Sequence, residues 1–313
     1  MVSTLNDTDP GPQGAVASCL RVQVVLYNQA LAEMWKLVPA LAASARLAVA
    51  EGWVDSVTLA FADCSASEIV SPPDAAALDE LARSAGLASL TYKFLGANRG
   101  SAGGSNALAE GATEDYILVL NPDTYPSPRL LPRMLARFRD PTVGACDARQ
   151  IPLEHPKDYD PATGDTTWVS GSCLMVRNDT YRRLGGFDEE NFFLYCDDVD
   201  FSWRIRLLGL RTVHAADAVV FHDKRIEAAG TVAATATESH YGGLGRLALA
   251  TKFGRPDVAD ATLAALDASA DEGHQRAAAE WRRRTRDKNL PQPLANGESV
   301  ATFIDGEYAR HRF

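Results

Sequence analysis

Residues 192–204, FFLYCDDVDFSWR, set three aspartates (Asp197, Asp198 and Asp200) into an aromatic and aliphatic stretch. Asp is a favoured helix N-cap, and acids in a first turn suit the helix dipole. The spacing also allows chemistry. Asp197 and Asp200, three apart, share one face near a helix start, while Asp198 points elsewhere. One acid can cap, another can pair with Arg204, and one remains. A carboxylate that takes a proton from a hydroxyl needs such mixed surroundings, with aromatic side chains limiting water.

Three other groups of residues have types and spacing suited to a site. LVLNPDT (118–124) puts Asn121 and Asp123 at the end of an apolar strand. An acid there can hold Mg²⁺ or Mn²⁺ that also binds a diphosphate, although Asn, Pro and Asp equally favour a plain turn. NRGSAGGSN (98–106) lies between a strand and a helix, where glycines let backbone amides approach a phosphate. It has no Walker lysine and its glycines do not fit GxGxxG. Asp123 nevertheless follows about 20 residues on, as a ribose-binding acid would. A dinucleotide-binding oxidoreductase is therefore a rival reading of these residues, but it leaves the acidic cluster and His222 without a use. His222 closes the run AVVFH. A lone histidine at a strand end is more often structural, unless a divalent ion sits beside it.

The elements that must position these residues follow from hydrophobic period. Residues 22–26, 54–63, 90–96 and 116–120 read as strands, alternating with helices at 31–50, 74–85 and after the glycine-rich turn. That order implies an open α/β sheet, which binds ligands outside the carboxyl ends of its strands. Polar residues fall at those ends: Tyr27 and Asn28, Asp63, Asn98, then Asn121 and Asp123. Residues 140–167 read as irregular and 168–177 as a strand. A helix starts at Asn178, the acidic cluster opens another that runs to Gly209, and 211–223 supply a last strand. Residues 236–288 read as mostly helical, followed by a less regular tail whose aromatics dock on the body.

The bulk numbers restrict the partners. The chain has 313 residues, 46% of them hydrophobic, with a formal net charge of −10. That balance argues against general nucleic-acid binding. Five scattered cysteines without a CxxC pair read as reduced thiols. The polar start, rich in Gly and Pro, has no signal-peptide pattern, and LVPALAASARLAVA is too short and broken to span a bilayer. The expectation is a cytoplasmic protein with a disordered segment at 1–19. Residues 276–288, RAAAEWRRRTRDK, form a basic helix in an acidic chain. It suits peripheral contact with anionic lipid at the inner membrane face, pairing with acidic residues of its own chain, or an oligomer contact.

In order along the chain stand VVLYN, Asp63-Cys64-Ser65, NRGSAGGSN, LNPDT, WVSGSCLMVR, GGFDE, FFLYCDDVDFSWR and a late histidine. Over about residues 20–225 this series resembles glycosyltransferase family 2, in particular bacterial rhamnosyl- and galactofuranosyl-transferase-like members that build surface polysaccharides. The resemblance implies a GT-A fold, with a nucleotide-sugar half at 20–124, an acceptor half at 125–225 and a helical extension at 226–313. It implies inverting transfer from a UDP- or dTDP-sugar to a hydroxyl of a glycan or lipid-linked acceptor. Tyr27, Asn28 and Asp63 would line the base and ribose, and Asn98, Arg99 and Gly104 the nucleotide. Asn121 and Asp123 would occupy the Asp-x-Asp motif, with Asp123 and His222 on Mg²⁺ or Mn²⁺. Trp168, Ser170 and Gly171 would shape the sugar and acceptor pocket. Asp197 and Asp198 would occupy the Glu-Asp position, with Asp198 as general base. Departures are FADCSAS (61–67), which lacks the family's later acid, Asn121 for the first acid of Asp-x-Asp, and Asp197 for the usual Glu. A catalytically silent nucleotide-sugar-binding protein is the further alternative.

Overall fold

The computed structural model describes residues 18–154, 157–224 and 235–309. Of the N-terminal segment expected to be disordered, residues 1–17 lie outside the described residues, and Cys19 already opens the first strand. Strands β1 (Cys19–Leu26), β2 (Ser56–Asp63), β3 (Ser89–Phe94) and β4 (Tyr116–Leu120) are parallel, in the spatial order β3-β2-β1-β4. Helices α1 (Leu31–Ala50), α2 (Pro72–Ala85) and α3 (Gly100–Ala109) make the crossovers. Next come β5 (Thr124–Pro126), α4 (Leu130–Arg137), β6 (Val143–Ile151), β7 (Cys173–Arg177), α5 (Asn178–Arg183), α6 (Asp197–Leu207) and β8 (Arg211–His222). They extend the same sheet as β4-β7-β6-β8-β5, with β7 antiparallel to both its neighbours.

Both faces of the sheet are covered, so its central strands are apolar at successive positions. Leu118, Leu120, Cys173 and Met175 point into one core with α1, α2 and α4. Their neighbours Ile117, Val119, Leu174 and Val176 point into another with Phe187, Phe201 and Ile205. The antiparallel β7 also disposes of the dinucleotide-fold reading, which needs a second parallel half beyond β4.

Two expectations are corrected. Residues 140–167 contain the nine-residue strand β6, VGACDARQI. Gly144 lies where a Cβ would meet Ile205 Cγ2 at 2.6 Å, and Asp147 and Gln150 are buried polar residues. A glycine and polar side chains spent on tertiary partners leave no strand-like alternation to read. The strand expected at 168–177 is confined to Cys173–Arg177, and 168–172 is a loop.

The chain beyond β8 forms α7 (Ala236–Lys252), α8 (Pro256–Ala268) and α9 (Glu272–Arg286). These pack with Trp168, Phe192, Val199 and Trp203 in a third core. The tail docks as expected: Phe303 lies 5.2 Å from Trp203 and Tyr308 5.6 Å from Trp168, ring centre to ring centre. Arginines of α9 pair inside their own helical layer, Arg282 with Asp267 and Arg284 with Glu280. None of the described helices is long and apolar enough to cross a membrane.

Asp200 holds α6 to this layer. Its carboxylate is fully buried and meets Arg204 at 2.7 Å and Lys252 of α7 at 2.6 Å. Removing one member of a buried ionic group leaves the others uncompensated. Asp200→Asn should therefore lose about 3 kcal/mol of stability, read by urea unfolding with an unchanged m-value.

Candidate active site

The carboxyl ends of β1, β2, β4, β6 and β8 and the start of β7 meet on one edge. Tyr27 is 54% exposed, leaving its ring free to stack. Asn28 has φ 51°, a backbone state that Asn tolerates, and its N–H donates to Ser65 Oγ at 2.7 Å. Asp63 is wholly buried. Its carboxylate accepts from Ser65 N–H (2.9 Å), Ile69 N–H (3.0 Å) and the Tyr92 hydroxyl (2.5 Å). Burial alone would raise this carboxyl, and the hydrogen bonds from Ser65, Tyr92 and Ile69 more than offset it, holding it below its ordinary value. In this state Asp63 shapes the 64–70 loop beside the expected base pocket.

The glycine-rich segment is not an open loop. Gly103 and Gly104 lie inside α3, and a Cβ on Gly104 would meet Val25 Cγ1 at 2.6 Å and Cys64 Sγ at 3.2 Å. Gly104 therefore serves close helix–sheet packing, a correction to its expected place along a nucleotide. Gly100 has φ +67° and sits against the Phe193 carbonyl, where a Cβ has no room. Asn98 Oδ1 accepts from Gly100 N–H at 3.1 Å. Arg99, exposed, pairs with Glu189 at 2.8 Å.

The structure brings Asp123 and His222 side by side. The short strand β5 starts directly after Asp123 and pairs Thr124 with His222, and Asp223 N–H donates to the Asp123 carbonyl at 2.9 Å. His222 Nε2 then lies 3.3 Å from Asp123 Oδ1. Its Nδ1 is 2.7 Å from Gln150 Oε1. An amide oxygen only accepts, so Nδ1 carries a proton, and in the neutral ring Nε2 turns its lone pair toward a carboxylate. Two acceptors at that distance repel unless a proton or cation lies between them. The pair could therefore hold a divalent ion whose remaining ligands come from outside the chain. Among the described residues no group of three or more His, Cys, Asp or Glu could hold a metal by itself. Asn121 stands behind Asp123 and accepts from the Thr124 hydroxyl through its carbonyl at 2.6 Å.

The acid cluster divides by partner. Asp197 accepts from the Ser101 hydroxyl at 2.7 Å. Asp198 Oδ2 accepts from Gly171 N–H at 2.9 Å, and its Oδ1 from Val199 N–H at 2.9 Å. Asp200 is the acid that pairs with Arg204, while Asp197 and Asp198 turn to the Ser101 and Gly171 side. The N-cap itself is Cys196 and makes no side-chain cap bond. Tyr195 and Cys196, at φ 65° and 63°, are two successive residues in a costly left-handed conformation just before the acids. Gly245 of α7 admits this turn, since a Cβ there would meet Cys196 Sγ at 2.9 Å.

The expected sugar-pocket residues are less exposed than the sequence suggests. Trp168 is 2% exposed and lies under the Lys157 ammonium, 4.3 Å from its ring centre. Ser170 is buried. Its N–H donates to Asp147 Oδ2 at 2.7 Å and its hydroxyl accepts from Gln150 Nε2 at 3.2 Å. Gly171, through its N–H, reaches Asp198 directly. Sequence reasoning missed Ser101, Asp147, Gln150, Lys157 and His214. The last four form a buried polar layer in which Asp147 binds Lys157 and, at 2.8 Å, His214. A correct reading of β6 would have found two of them, as polar residues in a strand covered on both faces.

Burial, and then the neighbouring charge of Asp198, push the Asp197 carboxyl up to about 7. The folded protein thus binds this proton more readily than the unfolded chain between its ordinary value of 3.8 and about 7. Stability contributed by this group falls as pH rises through that window. Asp197→Asn removes the dependence, so its Tm relative to wild type should climb steadily from pH 4 to pH 7 in thermal melts.

The sequence model of Glycosyl transferase family 2 matches residues 74–204, from the first turn of α2 into α6. An N-acetylglucosaminyl-diphospho-decaprenol L-rhamnosyltransferase of Mycobacterium tuberculosis (strain H37Rv) is 32% identical over 111 residues, 34% of this chain and 36% of that protein. Rhamnosyltransferase WbbL of Escherichia coli (strain K12) is 31% identical over 148 residues, 36% of this chain and 56% of that protein. The chain thus spans between about a third and just over half the length of these relatives. Among solved structures, a mannosyltransferase of Pyrobaculum calidifontis in complex with GDP-Man and Mn²⁺ aligns over 90% of this chain and 86% of its own, with TM-score 0.55 and 18% identity. GalNAc-T7 with UDP, GalNAc and Mn²⁺ aligns over 88% of this chain and 55% of its own, with TM-score 0.57 and 13% identity. The shared fold is GT-A. Residues 74–204, seated in that fold, thus carry a glycosyltransferase family 2 domain.

Proposed function

We propose that this protein transfers a sugar, with inversion, from a UDP- or dTDP-sugar to a hydroxyl of a glycan or lipid-linked acceptor, using Mg²⁺ or Mn²⁺. The observation that carries the reading is the convergence on one edge of Asp123 with His222, and of Asp198 with Gly171. The rhamnosyltransferase relatives make rhamnose the first sugar to try and a diphospholipid-linked glycan the first acceptor. Tyr27, exposed at the end of β1, would stack on the base, and Asn28 and Asn98 flank the same edge. Asp123 and His222 would hold the metal, which when bound offsets charge on the departing diphosphate.

The acceptor side is the work of the acid pair. Two adjacent carboxylates resist carrying two charges, and burial beside Asp198 makes Asp197 hold its proton to higher pH than an ordinary carboxyl. Asp198, oriented by the Gly171 and Val199 amides, takes the acceptor hydroxyl proton as that oxygen attacks the anomeric carbon from the face opposite the diphosphate. Phe193, whose carbonyl holds Ser101 beside Asp197, would help to limit competing water.

Thermal stabilisation by UDP, dTDP, GDP and NAD(P), each with and without Mn²⁺, tests the donor half. One pyrimidine nucleoside diphosphate should stabilise, more strongly with metal, and Asp123→Ala should abolish the metal's increment. Stabilisation by NAD(P) alone would sink the reading. Asp198→Asn should lower kcat by about 10²–10⁴ while leaving nucleotide stabilisation unchanged. Transfer at the wild-type rate in that variant would remove Asp198 as the base. Donor binding without transfer or donor hydrolysis by the wild type would indicate a silent binding protein.

A further inference from the structure

Gln150 is 1% exposed, and both ends of its amide are engaged. Oε1 meets His222 Nδ1 at 2.7 Å and Nε2 donates to Ser170 Oγ at 3.2 Å. The backbone amides on either side of the Ser170 α-carbon are also committed: Ser170 N–H goes to Asp147 Oδ2 and Gly171 N–H to Asp198 Oδ2. One side chain therefore touches the histidine that faces Asp123 and the segment that orients Asp198. Asp147 is itself pinned by Lys157 and His214, so the Ser170 end of the bridge is rigid.

From this we infer that Gln150 is a positioning residue that fixes His222 as its Nδ1–H tautomer, keeping the Nε2 lone pair aimed at Asp123 and making the pair competent for a divalent cation. The inference rests on the reading of Asp123 and His222 as metal ligands. A histidine with both nitrogens free to exchange the proton would present Nε2–H to the site for part of the time, and that form cannot ligate. Partners that set the free nitrogen of a ligating histidine typically alter metal affinity 10- to 100-fold when removed. Glutamate at 150 still accepts from Nδ1–H, whereas leucine, of similar size, does neither job.

The test compares wild type, Gln150→Leu, Gln150→Glu and His222→Ala. In metal-free protein near pH 8, the ¹⁵N shifts of His222, assigned by loss of its signals in His222→Ala, report the tautomer. Mn²⁺ titration in the presence of UDP reports affinity. Wild type and Gln150→Glu should show the Nδ1–H form, and Gln150→Leu a mixture with Nε2–H. Mn²⁺ affinity should fall about 10-fold or more in Gln150→Leu and far less in Gln150→Glu. A Gln150→Leu protein with wild-type Tm and an unchanged tautomer overturns the inference. So does unchanged Mn²⁺ affinity in Gln150→Leu when His222→Ala weakens it. If His222→Ala leaves Mn²⁺ affinity intact, the metal reading fails instead, and the metal-free tautomer comparison still judges Gln150.

Discussion

The direction of β7 organises the site. It runs against β4, so its beginning, not its end, reaches the carboxyl edge of the parallel strands, where Leu120 pairs with Cys173 and Asn121 N–H donates to the Ser172 carbonyl. The loop before β7 thereby lies beside the loop after β4. Had β7 continued the parallel order, Ser170 and Gly171 would lie at the opposite edge, far from Asp123. The same inversion lets β6 and β8 run parallel and finish at that edge, delivering Gln150 and His222.

Strain is concentrated where the acids must be aimed. The two left-handed residues Tyr195 and Cys196 bring the chain into α6 at an angle at which Asp197 meets Ser101 and Asp198 accepts from both Gly171 and the Val199 amide of its own helix. Such a conformation persists only when its surroundings over-determine it. Here it is held by the close approach of the Phe193 carbonyl to Gly100, by Ser101 N–H on that carbonyl at 3.1 Å and by Tyr195 hydroxyl on Glu238 at 2.7 Å.

The C-terminal helices belong to this arrangement. Glu238 and Gly245 of α7 contact the strained turn, and Lys252 at its end joins Asp188 and Asp200. Tyr308 edges onto Trp168 from the other side. A region that reads in sequence as an Ala-rich appendage thus buttresses the turn that carries the acids.

Hydrophobic period alone determined the first half of the sheet. β1 to β4 and their crossover helices are local patterns, a buried apolar strand followed by an amphipathic or small-residue helix, and each can be read within its own dozen residues. The strand-exit polar residues and the Asp197–Asp198 pair were legible for the same reason, as polar groups in apolar runs. Only the tertiary structure decided the rest. β6 hides because Gly144, Asp147 and Gln150 answer to Ile205, His214 and His222, none of them near in sequence. Gly104 reads as a phosphate-loop glycine, yet it is needed by Val25 and Cys64 for close packing. Asp123 and His222 lie 99 positions apart, and a three-residue strand containing a proline joins them. A side chain's type fixes what it can bind, but its partner depends on which distant strand lies alongside, and that is set by long-range pairing rather than by local pattern.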